Sequence, residues 1–137
     1  MKFENNWRQK SIENLEKSNW GEVPQGESSI VQRVYRLRKL PLEELSTDDI
    51  RFMIIQETGL PFLLTLAHEL LLEDLFTEGN YYEGDLLGAI LQIKPENWKG
   101  NKELWVEIEK LIKDRLDELR DYRPRLHIDN FYAAIFN

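Results

Sequence analysis

The chain contains no cysteine. That absence removes disulfides, thiol nucleophiles and thiolate metal sites together, and it fits a reducing cytoplasm. Histidine is nearly as scarce, with only His68 and His127. No long hydrophobic run is present either. The most apolar stretch, Leu60 to Leu72, is interrupted by Thr65, His68 and Glu69 and falls short of the ~20 residues a membrane-spanning helix needs. The opening Met1-Lys2-Phe3-Glu4-Asn5-Asn6 is polar, with no apolar signal-peptide core behind a basic head. These absences lead to the expectation of a cytoplasmic protein with no membrane segment.

A further absence is local. Between Phe52 and Ile93 there is no lysine or arginine, against seven acids: Glu57, Glu69, Glu73, Asp74, Glu78, Glu83 and Asp85. The rest of the chain carries 18 acids against 18 bases, so the whole net charge of −7 sits in the middle third. Charge placed this way steers cationic partners and repels nucleic acid; it also serves as a solvated face that keeps a protein soluble.

What is present reads as one globular domain over residues 1–137. A chain of 137 residues with 42% hydrophobic and 31% charged content, and fifteen aromatics, can bury a single core. No repeat, low-complexity segment or interdomain linker interrupts it.

The periodicity predicts an all-α bundle of about five to seven helices. A weak amphipathic helix is expected over 6–18, ended by Trp20-Gly21 and Pro24. A second runs from Ser28 to Lys39 on Ile30, Val31, Val34, Tyr35 and Leu37, with Arg33, Arg36, Arg38 and Lys39 on its other face. Ser46 is a natural N-cap with Asp49 three residues on, and Leu45 and Ile50 occupy the two positions of a hydrophobic staple. Pro61 opens a helix apolar nearly all round, which predicts a central position. After the loop Glu78-Gly79-Asn80-Tyr81-Tyr82-Glu83-Gly84, a short apolar helix starts at Asp85. One long amphipathic helix is expected over 102–122, with Leu104, Ile108, Leu111, Ile112, Arg115 and Leu119 as its buried stripe and Glu109–Lys113 as an i,i+4 pair. The aromatic tail from His127 to Asn137 should dock back on the core.

Catalytic patterns are missing. His68-Glu69 resembles half of a zinc-protease helix, but the position four residues after His68 is Leu72. No glutamate lies three residues before His68, because Thr65 stands there, which excludes the di-metal carboxylate pattern of helical bundles. There is no phosphate-binding loop, dinucleotide fingerprint or calcium loop. The expectation is no catalytic residue, no metal and no cofactor. The alternatives are an enzyme using His68 with Glu69 or Glu73, and an adaptor module with another partner.

Taken in order, several segments carry a resemblance: 11–16, Trp20-Gly21 with Pro24, 37–51, Gln56 with Gly59-Leu60, Leu66-Ala67 with Glu69, and 78–87. Over residues 11–98 the chain resembles the immunity proteins of bacterial contact-dependent growth inhibition systems. Pro41 to Arg51 and Glu78 to Leu87 are the most specific parts. The pattern would put Asp at Asn80 and Pro at Glu83, so this loop departs from it in shape. In such systems a cell-surface protein delivers a C-terminal toxin domain into neighbouring bacteria, and a cytoplasmic immunity protein protects the producer's kin.

The resemblance implies a cognate toxin domain as the 1:1 protein partner, with no nucleic-acid or membrane partner. Those toxins are often nucleases, cationic where they hold phosphates, and an acidic inhibitor is their expected counterpart. The candidate toxin-binding residues are Glu73, Asp74, Glu78, Tyr81, Tyr82, Glu83 and Asp85. The same residues have a structural reading: Tyr81 or Tyr82 stapling the loop to the core, and Asp85 capping the next helix.

Overall fold

A computed structural model of the chain describes residues 3–136. Among the described residues there is no strand, only an isolated bridge between Ser11 and Pro41. The fold is all-α. Its helices are α1 (Ile12–Glu16), α2 (Ser29–Arg38), α3 (Thr47–Ile55), α4 (Leu60–Glu73), α5 (Asp85–Leu91), α6 (Lys102–Ile112), α7 (Leu116–Arg120) and α8 (Ile128–Tyr132). A 3-10 turn at Lys113–Arg115 joins α6 to α7 without a gap. Counting that run as one bent helix gives seven.

The expected helix starts are where local chemistry puts them. Ser28 caps α2 by accepting from the Val31 amide at 3.2 Å. At α3 the capping box closes in both directions: Ser46 Oγ accepts from Asp49 N, and the Asp49 carboxylate accepts from Ser46 N, each at 3.0 Å. Leu45 and Ile50 are both buried, as a staple requires.

The expected first helix is instead divided into a 3-10 turn at Trp7–Gln9 and α1. The Lys10 carbonyl is taken by the Leu42 amide at 3.0 Å, so the chain is held extended where a helix would have continued. The expected long helix over 102–122 bends at Lys113, and the Glu109 carboxylate accepts from the Tyr132 hydroxyl at 2.7 Å. Arg38 also differs from expectation. It lies on the buried side of α2, 1% exposed, where its Nη1 donates to Glu16 and Thr58 and its Nη2 to the Ser18 carbonyl, while its buried Nε has no partner among the described residues.

The core is one contiguous cluster with α5 at its centre. All seven residues of α5 are buried. α3 and α4 pack on it from one side and α8 from another, and α6 covers α4. Each fully buried leucine or isoleucine contributes about 1.5–3 kcal/mol, so the α3–α5 contact is a main source of stability. α4 is less central than its composition suggests, because Leu72 stays 60% exposed. The tail docks as expected. Asn130 Nδ2 donates to the carbonyls of Leu91 and Ile93, and the Phe131 ring stacks on Trp105 at 4.8 Å. No helix among the described residues is long and apolar enough to cross a membrane.

Candidate functional site

The loop between α4 and α5 is organised by Asp85. This side chain is buried at the first position of α5 and turns back into the loop. Its carboxylate accepts from the amides of Gly79 at 2.5 Å, Asn80 at 3.0 Å and Tyr81 at 2.9 Å. Burial disfavours the charge, but the amides of Gly79, Tyr81, Asn80 and Tyr82 outweigh it, and the Asp85 pKa is lowered. The capping reading is modified accordingly: Gly84 takes the N-cap position, at φ +91°, and Asp85 serves the loop behind it.

Arg51 braces the same loop from α3. It is 7% exposed, its Nε donates to Asp48 at 2.9 Å, and it lies 3.8 Å from the Asp85 carboxylate. Its guanidinium sits 4.6 Å from the centre of the Tyr81 ring, a cation–π contact. Tyr81 is thereby held in place while 69% exposed. Tyr82 points the other way, its hydroxyl packed over Gly88, where a Cβ would come within 3.3 Å.

The outer end of the loop is fixed by aromatic packing. Phe76 stacks on Tyr122 at 5.0 Å, the Arg115 guanidinium lies 5.0 Å over the Phe76 ring, and the Tyr122 hydroxyl donates to the Glu83 carbonyl. Burial raises the Tyr122 pKa, and the negative field of Glu83, Tyr82, Asp85 and Glu78 adds to the rise.

The seven acids of the base-free stretch therefore divide. Glu57 accepts from Asn97 at 2.7 Å, Glu69 pairs with Arg8 at 2.8 Å, and Asp85 is consumed inside the loop. Glu73, Asp74, Glu78 and Glu83 are exposed, and among the described residues none of them forms an ion pair. The tertiary structure brings two bases close by, Arg51 and Arg115, each already engaged with a carboxylate. Three of the four cations at α2 are engaged too. Arg33 pairs with Asp48 and Asp49, Arg38 with Glu16, and Lys39 with Glu13.

A model of the family described as CDI immunity proteins matches residues 14–108, which include this whole loop with α3, α4 and α5 but not Arg115 or Tyr122. The chain belongs to that family. No curated protein and no solved structure matches it. The match ends within α6, so the tail that closes the core lies beyond it.

Of the candidate residues, Glu73, Asp74, Glu78, Tyr81 and Glu83 are exposed, Tyr82 is half-buried and Asp85 is buried. Sequence reasoning missed Arg51, Arg115, Phe76 and Tyr122. Arg51 left one signal, since it is the last base before the base-free stretch. His68 is half-buried on α4, and no group of three or more metal-ligating side chains is assembled among the described residues.

Proposed function

We propose that this chain binds the toxin domain of its own growth-inhibition system in the producer's cytoplasm, one to one, and neutralises it through the α4–α5 loop. Family membership supports toxin neutralisation. The observation that carries the choice of surface is the exposed Tyr81, braced on Arg51 in a loop whose Glu78 and Glu83, with Glu73 and Asp74 just before it in the chain, are exposed and form no ion pair among the described residues. Tyrosine is enriched among residues that dominate interface energetics, and a pre-ordered loop loses little entropy on binding.

The toxin suited to this surface is cationic, as a nuclease must be where it holds phosphates. Charge complementarity accelerates encounter, and the aromatic anchor slows release. Asp85, Arg51, Phe76 and Tyr122 act as the frame that holds the contact residues.

The test is Glu78→Lys combined with Glu83→Lys, assayed against the cognate toxin domain. Both positions are exposed, so the melting temperature should stay within a degree or two of the parent. Association should slow at low ionic strength, and the salt dependence of the rate should weaken. Unchanged association kinetics at low salt would place the interface elsewhere, with the C-terminal segment the next surface to probe.

A further inference from the structure

Beside the loop, a groove of about 280 Å³ opens between the Pro41–Thr47 segment, the start of α3 and one face of α4. Its floor is Leu42, Leu45, Ile50, Leu66 and Leu70, and its rim carries Glu43, Glu69 and Glu73. The volume falls just below the ~300–1,000 Å³ typical of small-molecule sites, which suits one large side chain better than a cofactor. Glu69 is occupied by Arg8, whereas Glu43 and Glu73 are exposed and form no ion pair among the described residues.

An apolar floor under free carboxylates matches one kind of side chain: a long aliphatic stem ending in a cation. Such a chain lays its methylenes on apolar surface and keeps its charge at the rim. The chain provides a small version of this chemistry, with Arg8 lying 4.5 Å over the Trp7 ring and forked onto Glu69. Low-dielectric walls also concentrate the field of the rim carboxylates on a cation between them.

We propose that this groove is a second docking point for the toxin domain and takes an arginine or lysine side chain from it. The inference rests on the toxin-binding reading above. It extends the contact surface along α4 from Glu73, which belongs to both the groove and the acidic set. The groove controls the lifetime of the complex, because a seated side chain must be withdrawn before dissociation. The exposed acids of the loop control the rate of encounter.

The experiment measures association and dissociation of the full chain with its toxin domain. One variant is Glu43→Gln with Glu73→Gln; a second, charge-neutral one is Thr47→Trp, which fills the mouth. The loop variant Glu78→Gln with Glu83→Gln serves as the reference, and urea midpoints check that each variant folds. Both groove variants should dissociate about tenfold faster, equivalent to ~1.4 kcal/mol, while the loop variant mainly associates more slowly. If the groove variants dissociate like the parent and the loop variant loses association rate, the groove inference is overturned and the loop reading stands. If only the groove variants respond, the groove stands and the loop reading fails. If none responds, both fail. A groove double variant that changes only the association rate would reduce the rim to long-range steering and overturn the seating of a side chain.

Discussion

Two exposed aromatic rings on this molecule rest on buried arginines, and their surroundings differ. Trp20, 45% exposed, lies over Arg38 at 3.9 Å; Tyr81, 69% exposed, lies over Arg51 at 4.6 Å. Around Trp20 the charges are matched. Arg38 pairs with Glu16 at 2.8 Å and Lys39 with Glu13 at 3.0 Å, and the tryptophan also packs edge-on against Tyr35. Arg51 beneath Tyr81 is paired with Asp48 as well, but the loop that carries Tyr81 also holds Glu78 and Glu83, which, like Glu73 and Asp74 just before it, form no ion pair among the described residues. The same device thus does different work. In the first region it clamps the N-terminal segments onto α2; in the second it supports a loop whose Glu78 and Glu83 form no ion pair among the described residues. An exposed ring alone does not mark an interface; under the proposed function it is the exposed acids of the same loop, without ion pairs, that set Tyr81 apart from Trp20.

The largest expected difference lies in the carboxylates behind the rings. Asp85→Ala strips acceptors from three loop amides and should lower unfolding free energy by about 3 kcal/mol, because unsatisfied buried donors cost ~1–3 kcal/mol each and part of the loop can rehydrate. Asp85→Asn, which keeps one acceptor, should lose about half as much. Urea titration gives both values. The sign of the pH effect follows from the lowered Asp85 pKa. Its stabilisation is full above the ordinary aspartate value and is lost as pH falls through the lowered folded value. The acid limb of a stability–pH curve should therefore flatten in Asp85→Ala, and an unaltered limb would assign that stabilisation to other carboxylates.

Next come the arginines. Arg51→Met leaves Asp85, whose side chain is 3% exposed, without its cation, whereas Arg38→Met leaves Glu16, 34% exposed, free to rehydrate. The first substitution should cost about 2–3 kcal/mol and the second about 1 kcal/mol, since a stranded charge is expensive in proportion to its burial. Equal losses in thermal melts would break the contrast.

At the rings the comparison moves from stability to binding. Tyr81→Ala should weaken toxin binding by about 1.5 kcal/mol, a little over tenfold, while Trp20→Ala leaves affinity unchanged. Calorimetric titration of both variants decides it, and the reverse ranking would transfer the interface to the Trp20 region. The smallest effect concerns the glycines. Gly26 and Gly84 sit at φ +84° and +91°, so an alanine at either costs about 1 kcal/mol in backbone strain. Gly84→Ala should cost somewhat more, because its Cβ would meet Phe76 and Tyr122 at 3.2–3.4 Å while that of Gly26 meets nothing.

Much of this architecture was legible along the chain. The Ser46–Asp49 capping box, the Leu45–Ile50 staple, Pro61 and the glycines around the α4–α5 loop are local devices, governed by neighbours within five residues. They placed the starts of α3, α4 and α5 correctly. The concentration of negative charge was equally plain, because counting acids and bases needs no coordinates. Family membership also followed from the linear pattern, as the match over residues 14–108 bears out.

The tertiary structure decided which of those acids are free. Asp85 and Glu83 stand two residues apart in the same run, yet Asp85 turns inward to three amides and Glu83 faces solvent. Arg8 reaches Glu69 across 61 positions, and Tyr122 reaches the Glu83 carbonyl across 39. Arg38 and the Lys10–Leu42 contact misled the helix reading for the same reason. Caps, turns and periodicity act over a few bonds, so sequence determines them. Burial and ion pairing are settled only when distant segments meet and a charge must either find a partner or stay in water.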